Sequence, residues 1–305
     1  MRSAPETWLV DGHVHFYRCY DRALFFDSAF INMEQAKQEL GISTPTVSCL
    51  CLTEAKDHFV FRQWRNEAER PSPDRWTLSP TSDALAIVAS HGSKERFLVL
   101  AGRQVATREG LEVLAIGCDR DIPDGQSVHR TLAQVIEADA LPVVPWGFGK
   151  WWWSRGTLLA NLIASAEVMR FFLGDSAGRL RGAWRPMPFR LAESRGIWTL
   201  PGSDPLPFAS HARRPGRYGF LLQGRLTRDR PSQSLKNLLR TLPHRPDVFG
   251  RRAGVVDFCR SQVAMQWRKH AHPATPVRSF IDEDDVSQSA WVSRAHDFNR
   301  LREGR

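Results

Sequence analysis

No apolar run in this chain reaches the length needed to cross a bilayer, and the first residues lack the apolar segment of a secretion signal. A membrane span is not expected, and a cytoplasmic location is. Zinc-ribbon cysteine pairs, a Walker phosphate loop, a helix-turn-helix signature and an aromatic RNA-binding strand motif are all missing. Those absences remove the common signatures of zinc-ribbon, P-loop and sequence-reading proteins. No Ser/His/Asp or Cys/His arrangement offers a protein nucleophile. No repeat or low-complexity segment suggests an array or a linker. Cysteine is sparse and odd in number, with Cys19, Cys49, Cys51, Cys118 and Cys259 scattered along the chain. That usage does not make a disulfide framework and suits reduced thiols. Cys49 and Cys51 alternate in a strand-like run, as small buried hydrophobes do.

What is present is basic charge. The net charge is +9 and the isoelectric point about 9.8, with most of the excess in arginine. Guanidinium forks suit phosphate and carboxylate, so the balance favours an anionic small molecule or a polyanion without choosing between them. Arg213-Arg214 and Arg251-Arg252 read as solvated charge, the alternative being a grip on phosphate. Aromatic residues do not interleave with these pairs, so a long nucleic-acid groove is not expected. The 305 residues, 42% hydrophobic and 25% charged, suffice for one α/β barrel or two smaller domains.

Strand-like and helix-like runs alternate. The pattern predicts strands at 8–16, 46–53, 85–89, 96–107, 111–117, 141–145, 171–174 and 196–201. It predicts helices at 22–40, 57–69, 125–138 and 158–170, with a Pro/Ser/Asp-rich loop at 71–83. Arg108-Glu109-Gly110 reads as a tight turn between two neighbouring strands. The alternation implies an α/β fold with a parallel sheet or barrel. Beyond Gly219 the pattern blurs. Val255, Cys259, Val263 and Trp267 recur at i+4 steps and predict a late helix with a packing edge. The charged stretch from Ile281 to Arg305 is expected to be partly disordered.

Chemistry enters at Asp11-Gly12-His13-Val14-His15. Residues i and i+2 of a strand share a face, so two imidazoles can aim into one cavity. They can be metal ligands, or polar strand residues with ordinary hydrogen-bond partners. His58, His91, His129 and His211 lack a second donor at ligand spacing and read as surface or satisfied histidines. His270 and His272 repeat the spacing outside any strand pattern and read as solvated. Trp146-Gly147-Phe148-Gly149-Lys150-Trp151-Trp152-Trp153 is an aromatic cluster around one lysine. It reads either as a substrate wall with a cationic tip or as a plug over a barrel mouth or interface.

Taken in order, several segments resemble the PHP (polymerase and histidinol phosphatase) superfamily, from about Leu9 to about Tyr218. Asp11-Gly12-His13-Val14-His15 is similar to its opening Asp-x-His-x-His. Ala101 to Gly110 resembles the strand bearing its metal-bridging glutamate, followed by Glu109-Gly110, and Leu111 to Gly117 its next strand. Leu141 to Gly147 sits where the family has a strand ending in His-Pro, and Gly202-Ser203-Asp204 resembles its late Gly-Ser-Asp. The resemblance implies a distorted (β/α)7 TIM-like barrel over 1–218 and a mostly helical extension over 219–305. Such a barrel carries its working groups at the C-terminal ends of strands. His15, Glu54, Gln104, Trp146, Asp175 and Asp204 fall near such ends.

The sequence also departs from the family. Thr53-Glu54-Ala55 replaces Thr-Asp-His, Gln104 stands at the bridging glutamate, Pro145-Trp146 replaces His-Pro, and Pro205-Leu206 follows Asp204. Glutamine offers a carbonyl oxygen but cannot bridge and neutralise two cations. His13, His15 and Asp204, with Gln104, thus suit one divalent zinc, manganese or iron ion better than three. The resemblance implies a metal-dependent hydrolase and, within that class, a phosphoesterase acting on an anionic, phosphorylated small molecule. Glu54 or Asp175 would serve as extra ligand or proton acceptor. Arg103 or Arg179 would offset transition-state charge. The rival is an inactive PHP-like scaffold for a small anion or a protein. A charge-driven nucleic-acid binder is a third possibility, and no membrane partner is expected.

Overall fold

β1 (Glu6–Val14) and β2 (Thr46–Glu54) pair in parallel, with α1 (Arg22–Glu39) between them in the chain. α2 (Val60–Glu67) leads to the hairpin β3 (Thr77–Pro80) and β4 (Ala86–His91). β5 (Glu95–Ala106) lies parallel to β2 and antiparallel to β4. β6 (Glu112–Ile116) returns antiparallel to β5 through the turn at Gly110, whose φ is +79°. After α3 (Val128–Glu137), β7 (Leu141–Pro145) pairs antiparallel with β6. α4 (Ser154–Ala164), β8 (Phe172–Ser176), α5 (Met187–Glu193) and β9 (Thr199–Gly202) follow, with β7, β8 and β9 parallel. β10 (Tyr218–Gly224) pairs antiparallel with β1, and β11 (Val248–Gly250), beyond α6 (Pro231–Arg240), with β10. The last helix among the described residues is α7 (Val255–Ala271).

This computed structural model describes residues 6–68, 75–92, 95–165 and 169–271. Met1–Gln262 form one compact unit and Val263–Arg305 a second. The sheet order β11-β10-β1-β2-β5-β6-β7-β8-β9 brings its last strand back to its third, and the barrel nearly closes. At that seam the Asp204 amide donates to the His13 carbonyl at 2.8 Å. A Cβ on Gly202 would lie 2.4 Å from the His13 nitrogen, so only glycine lets the two strands meet there. The result is a distorted TIM-like barrel with a mixed sheet.

Strand alternation sorts the core into an inside and an outside. Trp8, Val10, Cys49, Cys51, Leu98, Leu100, Leu114, Ile116 and Leu200 fill the interior, with Leu235 and Leu239 of α6 packed against them. Leu50, Leu52, Val99 and Ala101 face outward onto Phe25, Phe26 and Met33 of α1 and onto Phe61 and Trp64 of α2. Val113, Val144 and Leu173 do the same for α3, α4 and α5. Asp21 starts α1 by accepting from the Leu24 amide at 2.7 Å, and Ser127 caps α3.

Several sequence expectations need correction. The loop expected at 71–83 contains β3, and its residues 71–74 lie outside the described set. The helix expected at 158–170 begins at Ser154 and ends at Ala164. α5, α6, β10 and β11 were not legible, and the sheet continues past residue 218 through β10 and β11. α7 exists, but its expected packing edge is exposed: Val255 at 64%, Val263 at 58% and Trp267 at 76%. Cys49 and Cys51 are interior, and all five cysteines are free thiols. The side chain of His270, His272 and the stretch from Ile281 lie outside the described residues. Among the described residues no helix is long and apolar enough to cross a membrane.

Candidate metal centre

A β-bulge decides where the two histidines point. Asp11 pairs with Leu50 but Val14 with Leu52, so β1 carries one extra residue between them. Before the bulge Trp8 and Val10 face inward; after it Val14 faces outward. His13 and His15 are thereby turned into the barrel. Gly12 occupies the bulge, where a Cβ would lie 2.9 Å from the Pro201 carbonyl. Asp11, fully buried on the other face, ties the seam together. Its carboxylate accepts from the Ser203 and Gly216 amides, both at 2.8 Å, and from the His13 amide at 3.3 Å. Burial pushes its pKa up to about 7 against the pull of those donors.

Inside the mouth, His13 Nε2 lies 2.9 Å from His15 Nε2 and 3.1 Å from Gln104 Oε1. Asp204 Oδ1 lies 3.6 Å from His13 Nε2 and 3.7 Å from His15 Nε2. The ligand atoms of His13, His15 and Asp204 all fall within 4.8 Å of one another, and the cluster can hold one metal ion. Tetrahedral donors bonded at about 2.0–2.1 Å stand about 3.3 Å apart, and these separations bracket that spacing. Donor chemistry agrees, with two imidazoles, one carboxylate and one amide oxygen.

Electrostatics prepare these donors. Burial, reinforced by neighbouring His13, lowers the His15 pKa to about 3, so its imidazole is neutral and its lone pair available. For Asp204, burial works to raise the pKa, but the two imidazoles, the Ser176 hydroxyl and Lys150 together hold it below its ordinary value. Ser176 Oγ donates to Asp204 Oδ2 at 3.0 Å and so orients the carboxylate. Asp204 itself sits in the left-handed region with φ +46°, a costly backbone for a non-glycine residue.

The same alternation sends the other four expected site residues away from the cluster. Glu54 faces outward with Leu50 and Leu52, and its carboxylate accepts from the Val60 and Phe61 amides at the start of α2. Burial raises its pKa to about 7. Arg103, outward like Val99 and Ala101, donates to the His58 carbonyl at 2.6 Å and stacks on Phe59. Asp175 faces outward with Leu173; Arg179 clasps it through Nε at 2.7 Å and Nη2 at 2.6 Å, and Tyr218 Oη adds a third bond at 2.8 Å. The structure therefore brings together His13, His15, Gln104 and Asp204, but not Glu54, Arg103, Asp175 or Arg179.

Two features were missed in the sequence. Ser176 is the inward neighbour of Asp175 on β8, which alternation from Leu173 would have indicated. Glu112 shares the inward face of β6 with Leu114 and Ile116 and pairs with Lys150. The lysine is thus a mouth residue whose charge reaches His15 and Asp204. The aromatic cluster splits: Trp151 is buried against Phe189 at 4.9 Å, whereas Phe148, Trp152 and Trp153 are exposed. His211 is buried and satisfied, accepting from the Leu206 amide at 2.9 Å.

No family model matches the chain, and no curated protein matches it. Among solved structures it is similar to PsfC from Pseudomonas syringae PB-5123, at 12% identity and TM-score 0.49, over 88% of this chain and 100% of that one. It is also similar to the lesion-specific endonuclease PfuEndoQ from Pyrococcus furiosus, at 10% identity and TM-score 0.45, over 79% of this chain and 57% of that one. Endonuclease Q in complex with a 27-mer duplex bearing an abasic lesion gives 10% identity and TM-score 0.46, over 78% and 58%. The chain thus spans little more than half of those endonuclease chains.

Proposed function

We propose that this chain is a metal-dependent hydrolase of the PHP type, acting on a phosphoester through one divalent ion. The observation that carries the reading is the convergence of His13, His15 and Asp204 within 4.8 Å inside a barrel mouth, with Gln104 as a fourth donor. A single carboxylate among the four donors limits the charge the site can neutralise, which favours one ion over three. Bound there, the ion would polarise a phosphoryl oxygen and acidify a water molecule.

The protein's own contribution is positional. His15 presents a neutral imidazole beside the ring of His13, and Ser176 holds the Asp204 carboxylate in place. Lys150, held by Glu112 on the inward face, is the cation placed to meet a phosphoryl group. In this reading Glu54 and Arg103 brace the β2–α2 loop rather than touch substrate, and Asp175 with Arg179 braces the outer side of β8.

The test is hydrolysis of a generic phosphoester panel by the full chain, purified without a histidine tag, with added Mn²⁺ or Zn²⁺. Wild type should turn over and His15→Ala should not. A second reading, a binding scaffold without turnover, is favoured by Gln104 standing where a bridging carboxylate would hold more metal. It wins if wild type is inert across the panel and Gln104→Glu gains metal without gaining turnover.

A further inference from the structure

A cavity of 330 Å³ opens on the outward side of β8 and β9, behind the strand that carries Ser176. Six arginines line it, Arg179, Arg181, Arg185, Arg245, Arg251 and Arg252, against a single carboxylate, Asp175. That carboxylate already accepts from the Arg179 fork and from Tyr218. Nearby Glu193 pairs with Arg185 and lies 3.9 Å from Arg245, and Glu39 lies 3.5 Å from Arg251. Arg181 and Arg252 have no ion-pair partner among the described residues.

Two guanidinium nitrogens are left over in a telling place. Arg179 spends Nε and Nη2 on Asp175, and its Nη1 is buried with no acceptor. Arg252 Nη1 is buried and unpartnered in the same way. A buried charged donor without an acceptor costs free energy, and native structures answer it with a water or an ion. The two residues that carry these donors line one cavity with excess positive charge, which calls for an anion. A tetrahedral oxyanion accepts from several directions at once, which suits converging forks from different segments better than a planar carboxylate does.

The walls are held in place before any ligand arrives. The Arg181 amide donates to the Ala253 carbonyl at 2.8 Å, and the Ala253 amide to the Ala177 carbonyl at 2.7 Å. The cavity lies at the small end of ligand pockets, which run from about 300 to 1,000 Å³. Its one aromatic residue, Tyr218, is buried and spends its hydroxyl on Asp175, so no platform for stacking bases is present. We propose that this cavity binds the phosphate group of a small phosphorylated ligand, with buried Arg179 and half-buried Arg252 among its contacts. Asp175 and Ser176 are consecutive on β8 and point to opposite sides, so this site is separate from the histidine cluster and needs no metal.

The test is calorimetric titration of the metal-stripped full chain with inorganic pyrophosphate at constant ionic strength. Saturable one-to-one binding is expected for wild type and equally for His13→Ala, which keeps this site apart from the proposed metal centre. Arg252→Gln removes one charged donor and should weaken binding about ten-fold to a hundred-fold. Arg181→Gln with Arg252→Gln should abolish saturation. Both positions are at least partly exposed, so the variants should fold, as a melting curve would verify. Absence of saturation in wild type, unchanged affinity in Arg252→Gln, or loss of binding in His13→Ala would each overturn the proposal. A short single-stranded DNA that displaces pyrophosphate with a steep salt dependence would overturn the small-ligand assignment.

Discussion

Replacing His13 by alanine should abolish stabilisation by added Zn²⁺ while leaving a folded barrel. A ligand that binds only the folded state stabilises by about 2.7 kcal/mol when present at about 100 times its dissociation constant. Unfolding entropy near 2.1 cal/mol/K per residue gives the unit Met1–Gln262 about 0.55 kcal/mol/K, so wild type should melt about 5 °C higher with metal. His13 is the hub of the cluster, lying 2.9 Å from His15 Nε2, 3.1 Å from Gln104 Oε1 and 3.6 Å from Asp204 Oδ1. A four-donor site binding with about 10–16 kcal/mol loses roughly 3 kcal/mol per donor, which weakens affinity more than about a hundred-fold. The same Zn²⁺ concentration then leaves about 0.4 kcal/mol, or less than about 1 °C. Differential scanning calorimetry of each protein with and without Zn²⁺ reads this directly. Because the shift is taken within each variant, any folding cost of the substitution cancels. A His13→Ala protein that still gains more than about 3 °C would show that zinc binds elsewhere, on surface histidines for instance, and would refute the site.

Three further outcomes follow from the geometry. Ser176→Ala removes the 3.0 Å hydrogen bond to Asp204 and should weaken metal binding about ten-fold in a competition titration, with the fold intact. Gly202→Ala places a methyl 2.4 Å from the His13 nitrogen; chemical denaturation should show a loss of at least about 1–3 kcal/mol, and the metal-dependent melting shift should vanish although no ligand side chain is replaced. Glu54 has a folded pKa of about 7 against an ordinary 4.5, so the folded state holds the extra proton between those values. Its contribution is present below about pH 4.5 and lost as pH rises through 7, with a slope of at most about 1.4 kcal/mol per pH unit. Glu54→Gln should flatten that decline in pH-dependent urea melts without changing Zn²⁺ affinity; a lost metal shift would instead make Glu54 a ligand.

The division of the expected site residues follows from one rule that the sequence contains and one irregularity that it conceals. Alternation along β5 puts Gln104 inside and Arg103 outside, and along β8 puts Ser176 inside and Asp175 outside. That rule is readable only once the inward register of each strand is known. Fully buried strands hide it, because Cys49-Leu50-Cys51-Leu52 is apolar on both faces. In β1 the rule would point His13 and His15 outward, opposite to Trp8 and Val10, were it not for the bulge at Gly12. The antiparallel return of β6 was foreshadowed by the turn at Gly110, whereas β10 and β11 pair with distant strands and left no local signal.

By itself the sequence determined the α/β alternation, the pairing of His13 with His15 on one face, and the single-carboxylate poverty of the donor set. Those properties are local or compositional, and no folding can change them. Tertiary structure decided which face the histidines took, because a bulge is stabilised by contacts across the seam with Pro201 and Ser203 rather than by neighbours in sequence. It also decided that Asp204, some 190 positions away, meets them, through the Asp204 amide bond to the His13 carbonyl and a glycine that lets β9 touch β1. Pairings over such separations repay their loop-closure entropy only when the whole barrel closes, and so they are not written in any short stretch of the chain.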